Sequence, residues 1–204
     1  MITEYYTIKE RGESLFKDRG SKFIGIALKV YSEDDVKAAL ASLRKEYYDA
    51  RHHCYAYVIG ADKALYRAND DGEPNHSAGD PILGQIHSHN VSDVLVVVVR
   101  YFGGTKLGVS GLINAYKIAA DEALQHAGRQ TVEIRQTVVL AYGYEATNDV
   151  MRLTNELDVE ITGQQFDQNC RLSGRVKIDL LEQLRARVQL LNDTGTAVQL
   201  ILDT

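Results

Sequence analysis

The sequence of 204 residues contains no tryptophan, only two prolines and only two cysteines. Cys54 and Cys170 are too few and too far apart for a disulfide framework or for a zinc site built from cysteine pairs. No apolar run approaches the length of a membrane span, and the opening residues MITEYYTIKERGE lack the hydrophobic core of a signal peptide. We therefore expect a cytoplasmic protein that has no membrane interaction and resides in a reducing compartment.

The sequence also lacks an excess of positive charge. Its 23 basic and 28 acidic residues give a formal net charge of −5 at pH 7. Residues 1–134 contain 16 basic and 18 acidic residues, and residues 135–204 contain 7 and 10. This balance argues against tight, nonspecific binding of nucleic acid through the average charge. Any contact with nucleic acid must come from a local cationic patch.

The length and the apolar content of 45% predict two globular domains, each with its own core. We place the first domain at 1–130 and the second at 135–204, with a join around 128–134. The first domain is predicted to contain strands at 5–9, 22–31 and 54–59, with a helix capped by Ser32. No internal repeat or low-complexity tract is present.

The second domain has the rhythm β-α-β-β-α-β, which is typical of a ferredoxin-like fold. Its last helix is predicted to begin with a capping box formed by Asp179 and Glu182. Mixed elements in both halves indicate an α+β protein.

The most informative segment is 94–116, VLVVVVRYFGGTKLGVSGLINAY. Six consecutive apolar residues predict a central strand covered on both faces, and helical spacing begins at Leu112. Between them, Gly103, Gly104 and Gly108 leave backbone N–H groups without neighbouring side chains. One interpretation is a loop that binds an anion with help from Lys106; the other is that these glycines only permit tight packing between strand and helix.

This loop is not a nucleotide-hydrolysing P-loop, because Val109 stands where that motif requires lysine. Arg100, at the end of the strand beside Tyr101, Phe102 and the glycine loop, is the strongest single candidate for binding a planar anion or a stacked base. The alternative role for Arg100 is an internal salt bridge to Asp70 or Asp71.

A second segment, 50–58 (ARHHCYAYV), brings cations to the start of another strand. Arg51, His52 and His53 precede this strand, so we expect them to be exposed and able to contact a phosphate. Cys54 shares a strand face with small apolar residues, which favours a buried neutral thiol over a nucleophile. We therefore predict no catalytic residue here.

The third segment is the acidic turn 70–83, DDGEPNHSAGDPIL. Asp70, Asp71 and Glu73 are suited to hold a magnesium ion, but turn formation explains the same residues without a metal, and we favour that interpretation. Asp80 is predicted to cap the following helix. His87 and His89 are two residues apart, which points them to different helix faces and argues against zinc binding. We predict no metal and no cofactor.

These three segments, in this order, resemble the signature segments of the YigZ/IMPACT family: RHHCYAYV, then DDGEP with SAGDPIL, then VVVRYFGG with LGVSGLINAY. The resemblance is strongest over the first 125 or so residues. It implies a first domain similar to the second domain of ribosomal protein S5 and a ferredoxin-like second domain. Together these are similar to the last two domains of the translocation elongation factor.

The resemblance also implies a translation-linked regulator that binds RNA or the ribosome, since eukaryotic members regulate the amino-acid-starvation kinase pathway. Two alternatives remain. One is an enzyme acting on a phosphorylated or peptide substrate, because bacterial relatives have carried a peptidase label; the sequence contains neither HExxH nor GxSxG. The other is a module that binds a protein partner through its first domain.

Overall fold

The structure, a computed structural model, describes residues 1–167 and 169–202. Over these residues the chain forms five α-helices and three sheets, which confirms the predicted α+β class. The chain divides into two compact units, one of residues 4–132 and the other of residues 1–3 and 133–204. Each unit has a hydrophobic core of its own. No helix of the described residues combines the length and the apolar character that a membrane span requires.

The first unit is built on a five-stranded sheet covered by three helices. Its strands are β1 Glu4–Ile8, β2 Gly12–Asp18, β3 Ser21–Lys29, β4 His52–Ile59, β5 Leu65–Asn69, β6 Val94–Tyr101 and β7 Arg129–Glu133. The last residue of β7, Glu133, belongs to the second unit. The helices are α1 Glu33–Glu46, α2 Gly79–Ser88 and α3 Gly108–Ala127. The sheet order is β2-β3-β6-β4-β5, and β1 pairs with β7 separately.

Strand β6 lies at the centre of this sheet, as the sequence predicts. It pairs antiparallel with β3 and β4. Its side chains alternate between two cores: Val94, Val96 and Val98 pack with α2 and α3, whereas the odd-numbered residues 95–99 pack with α1. A strand buried on both faces has no need of polar alternation, which is why its apolar run is continuous.

Several helix ends differ from the predictions. Ser32 caps α1 as predicted, since its Oγ accepts a hydrogen bond from the backbone N–H of Asp35 at 3.1 Å. The prediction that Asp80 caps α2 is wrong: Ala78 is the N-cap residue, and the carboxylate of Asp70 accepts the N–H groups of Ala78 and Gly79. The cap is therefore supplied from the preceding turn, eight and nine residues away.

The second unit has the element order β-α-β-β-α-β. Its strands are β8 Arg135–Gly143, β9 Glu160–Gln165, β10 Asn169–Lys177 and β11 Val198–Leu202, and its helices are α4 Thr147–Glu156 and α5 Leu181–Asp193. The strands form an antiparallel sheet in the order β11-β8-β10-β9. The predicted capping box of α5 is wrong, because Leu180 is the N-cap residue and no side chain caps it.

Candidate anion-binding site

A cavity of about 480 Å³ opens in the first unit, where the ends of β4 and β6 meet the acidic turn and the start of α3. Its lining combines cations, one carboxylate and an apolar wall. The lining residues are Arg51, His52, Glu73, Pro74, Arg100, Phe102, Lys106, Leu107, Gly108, Val109 and Leu112. Residues from all three sequence segments singled out above therefore line one concave surface.

Strand alternation decides which predicted residues reach the cavity. His52 lies opposite Arg100 in the register of β4 and β6, and Arg100 follows Val98 on the face that packs with α3. Tyr101 lies on the other face, where its hydroxyl donates a hydrogen bond to Asp49 at 2.8 Å. His53 likewise lies on the face that packs with α1. The structure thus brings His52 and Arg100 together and places Tyr101 and His53 elsewhere.

The centre of the site is a buried ion pair between Arg100 and Glu73. The Arg100 Nη1 lies 2.6 Å from Glu73 Oε1, and the two side chains are only 7% and 4% exposed. The Tyr116 hydroxyl of α3 donates a second hydrogen bond to the same carboxylate oxygen at 2.7 Å. Buried ion pairs of this kind hold together only where further hydrogen bonds satisfy the charges.

Arg100 has one donor that this ion pair does not use. Its Nε is buried and has no hydrogen-bond partner among the described residues. The guanidinium carbon lies 5.4 Å from the ring centre of Phe23 and 5.6 Å from that of Phe102, distances at which a cation interacts favourably with an aromatic ring. Glu73 and the two aromatic rings thus fix the position of the Arg100 guanidinium, and its Nε remains without an acceptor.

The internal salt bridge considered for Arg100 exists, but its partner is Glu73 and neither of the aspartates. Asp71 accepts the backbone N–H of His53 at 2.7 Å and pairs with Arg44 at 3.1 Å. Asp70 is occupied by backbone N–H groups at the start of α2. Asp70 and Asp71 are thus engaged by other donors, and Arg100 pairs with Glu73.

The carboxylates of Asp70, Asp71 and Glu73 are all bonded to protein donors. Burial raises the pKa of Asp70, but the hydrogen bonds from the backbone of Gly79, His76 and Ala78 outweigh it, and the pKa lies below its usual value. The described residues contain no group of three or more His, Cys, Asp or Glu side chains arranged to hold a metal ion.

Cys54 lies beneath the cavity as a buried thiol. Its Sγ lies 3.0 Å from the carbonyl oxygen of Asp70 and 3.3 Å from the hydroxyl of Tyr116. Burial raises the pKa of Cys54 far above its usual value, and it does the same for Tyr116. At neutral pH this thiol is protonated, which is the opposite of what an activated nucleophile requires.

The two histidines of the second segment differ in environment. His52 is half-buried, and its Nδ1 lies 2.8 Å from the carbonyl oxygen of Asp71. A carbonyl oxygen only accepts, so Nδ1 carries the proton and Nε2 makes no hydrogen bond to a described residue. The expectation that His53 is exposed is wrong: it is 5% exposed because it points into the core beneath α1, and this burial lowers its pKa.

The glycines of the loop serve two different purposes. At Gly103, an added Cβ would lie 1.9 Å from the carbonyl carbon of Gly20, so packing against the turn between β2 and β3 excludes a side chain. Gly104 and Gly108 have open surroundings but positive φ angles of 88° and 75°, which glycine adopts most readily. The packing interpretation of the loop therefore holds at Gly103, whereas the anion-binding interpretation stays a prediction. Gly108 begins α3 at the cavity.

Two cations at the cavity have no carboxylate partner. Arg51 and Lys106 form no ion pair within the part of the chain that the structure describes. The first residue of α3 lies beside them, and the N-terminus of a helix carries partial positive charge. The open side of the cavity is therefore cationic, whereas the charge of Arg100 is balanced by Glu73.

Sequence reasoning named Phe102 only as a neighbour of Arg100 and did not predict the rest of the apolar wall of the cavity. Phe102, Leu107, Val109 and Leu112 form this wall together with Pro74. The signal that points to it is an aromatic residue directly before a glycine pair. Phe102 remains 52% exposed in the structure.

Residues 19–124 match the family model of the Impact N-terminal domain, which is about half of the chain. Among curated proteins, the IMPACT family member YvyE of Bacillus subtilis is 41% identical over 63% of this chain and 59% of its own length. The IMPACT family member YigZ of Escherichia coli is 34% identical over 72% of each chain.

The eukaryotic Protein IMPACT of Mus musculus is 38% identical over 45% of this chain and 30% of its own length, so this chain spans less than a third of that relative. A solved structure titled as that of an hypothetical protein matches 100% of this chain and 99% of its own, with 27% identity and a TM-score of 0.72. The family match and the YigZ alignment confirm the resemblance read from the three segments. The chain belongs to the IMPACT family.

Proposed function

We propose that this protein is a translation-linked regulator that binds RNA or the ribosome through the cavity of its first unit. The observation that carries the proposal is the pair of unbalanced cations, Arg51 and Lys106, at the rim of a cavity that also receives the N-terminus of α3. A local patch of this kind is what a chain of net negative charge needs in order to bind a polyanion.

The proposal extends to the fold. The strand order β11-β8-β10-β9, with the element order β-α-β-β-α-β, supports a ferredoxin-like second unit. For the first unit, the resemblance to the family implies the fold of the second domain of ribosomal protein S5. Both folds also occur in ribosome-bound proteins, which supports the same assignment by analogy.

An enzyme acting on a peptide through Cys54 is a weaker candidate. The thiol is buried, protonated at neutral pH and shielded by Tyr116. We expect that a panel of dipeptides, with or without added manganese or zinc, gives no turnover that is lost in Cys54→Ala.

The test of the proposal is co-sedimentation with ribosomes, combined with cross-linking to RNA in cells. We expect the wild-type protein to co-sediment and the variant Arg51→Glu/Lys106→Glu to lose most of this association. The matched control is Lys45→Glu/Arg171→Glu, which makes the same change in charge at two exposed residues that do not line the cavity. Wild-type association of Arg51→Glu/Lys106→Glu would instead favour a protein partner that binds elsewhere.

A further inference from the structure

The cavity presents an aromatic ring to solvent beside its cations. Phe102 is 52% exposed, although its ring also contacts the guanidinium group of Arg100. Next to it, Leu107, Val109 and Leu112 complete an apolar wall. The phosphate backbone of a duplex offers nothing that such a wall would bind, because the bases of a duplex are stacked on one another. An unpaired nucleotide offers a phosphate and a free base face together.

The polar side of the cavity contains donors that have no acceptor among the described residues. Arg100 lines the cavity, is 93% buried as a side chain and has an Nε without a partner. A buried donor of this kind requires an explanation, and an oxygen atom of a bound ligand supplies one. Lys106 and the N–H groups at the start of α3 lie on the same surface. Their arrangement suits a phosphate group.

The size of the cavity selects among anions. A volume of about 480 Å³ lies within the range typical of pockets for small ligands, and it exceeds what a single phosphate fills. One nucleotide matches both this size and the division of the lining into a cationic and an apolar side. We infer that the cavity takes one unpaired nucleotide, with its phosphate at Arg100, Lys106 and the start of α3, and with its base against Phe102.

An unpaired nucleotide within RNA and a free nucleoside monophosphate share this chemistry. The inference that the nucleotide belongs to an RNA rests on the proposed function. The inference that the cavity binds a nucleotide is independent of it. The inference therefore predicts that RNA bound here is single-stranded or has a base turned out of its stack. It also predicts that a mononucleotide competes with that RNA.

The test is calorimetric titration of the full chain with AMP, UMP, adenosine and inorganic phosphate. We expect both nucleotides to bind more tightly than adenosine or phosphate. Phe102→Ala should lower the affinity for AMP about tenfold and leave that for phosphate unchanged, since a stacked base contributes this much. Phe102→Tyr should retain the affinity for AMP, and Tyr48→Ala, at an aromatic residue 83% exposed outside the cavity, should change nothing. Thermal unfolding of each variant checks the fold.

Two sets of outcomes separate this inference from the proposed function. If AMP and UMP bind no more tightly than phosphate, or if Phe102→Ala binds AMP as wild type does, the nucleotide site is wrong even where RNA or ribosomes bind. If AMP binds in a manner that depends on Phe102 while single-stranded RNA and ribosomes do not bind, the site holds a free nucleotide and the proposed function fails. Displacement of single-stranded RNA by AMP supports both.

Discussion

The two units differ in the share of their basic side chains that form ion pairs. In the unit that includes 133–204, six of the seven basic side chains form ion pairs with described carboxylates, and only Arg171 does not. In residues 4–132, ion pairs with described carboxylates account for only four of the sixteen, and one of these is the buried pair of Arg100. Both units have a negative net charge, so charge counts do not reveal this difference. What distinguishes the first unit is that two of its unpaired cations, Arg51 and Lys106, lie at a concave surface.

The largest effect that this comparison predicts is on stability. Arg100→Met leaves Glu73 buried with only the Tyr116 hydroxyl, whereas Arg175→Met breaks a pair with Glu160 in which both side chains are about half exposed. We expect the first change to lower the free energy of unfolding by about 3–5 kcal/mol. The second should lower it by at most about 1 kcal/mol.

Urea denaturation of both variants measures these losses. The chain divides into two units, so the unfolding transitions followed by tyrosine fluorescence and by circular dichroism are compared. Coincident transitions show that the two units unfold together. Losses of similar size in the two variants would show that the Arg100 pair is no more important than a surface pair.

The second prediction concerns one hydroxyl group in each unit. Tyr116→Phe removes a hydrogen bond to Glu73, so we expect it to destabilise the first unit by about 1–2 kcal/mol. Tyr142 of the second unit has a buried hydroxyl without a partner among the described residues, and Tyr142→Phe should therefore be neutral or stabilising. Thermal unfolding measures both changes. A Tyr142→Phe variant that is the less stable of the two would reverse the comparison.

The third prediction follows from the raised pKa of Cys54. Burial keeps this thiol protonated in the folded state, so its native alkylation by iodoacetamide at pH 8 should be far slower than in urea. In the unfolded chain the Cys54 thiol ionises with a pKa of about 8.5, whereas in the folded protein its pKa is higher. The free energy of unfolding should therefore fall as the pH rises above about 8.5, because only the unfolded state releases this proton. The background variant Cys170→Ser restricts labelling to Cys54. Rapid labelling of the native protein would show that the thiol is accessible and ionised.

The fourth prediction is the smallest in effect. Expressed alone, residues 4–132 should fold cooperatively and retain the RNA affinity of the full chain, because the cavity is lined entirely by this unit. Residues 133–204 should fold without this affinity. Calorimetric unfolding and RNA binding of both fragments check this. Disorder of both fragments, with cooperative unfolding only in the full chain, would show that the two units are not independent domains.

The sequence predicts those elements of the fold whose apolar residues follow a clear pattern along the chain. The apolar run of β6 and the helical spacing of α3 follow directly from the residues, although α3 begins at Gly108, four residues before Leu112. Strand β2 was missed because it buries Gly12 and Ser14 against the backbone of α3, where a Cβ at Gly12 would lie 2.1 Å from the carbonyl oxygen of Ala123. The buried positions of β2 are small residues that allow close packing, so the sequence shows no apolar alternation there.

The candidate site divides in the same way. Alternation predicts that His52 shares a face with Cys54 within β4. That His52 also lies opposite Arg100 depends on the register between β4 and β6, which the structure supplies. The choice of Glu73 as the partner of Arg100 depends on which hydrogen bonds Asp70 and Asp71 make within the turn, and no local pattern specifies these. The apolar wall around Phe102 joins residues that carry no chemical signature.

The most direct test of the central claim is the salt dependence of the affinity for single-stranded RNA. For Arg51→Glu/Lys106→Glu, we expect weaker binding and a slope of log affinity against log salt that is shallower by about 2, since each lost phosphate contact lowers it by about 1. The equally charged variant Lys45→Glu/Arg171→Glu should retain the wild-type slope. If both double variants show the same change in affinity and slope, the cavity is not the binding site and only the average charge acts.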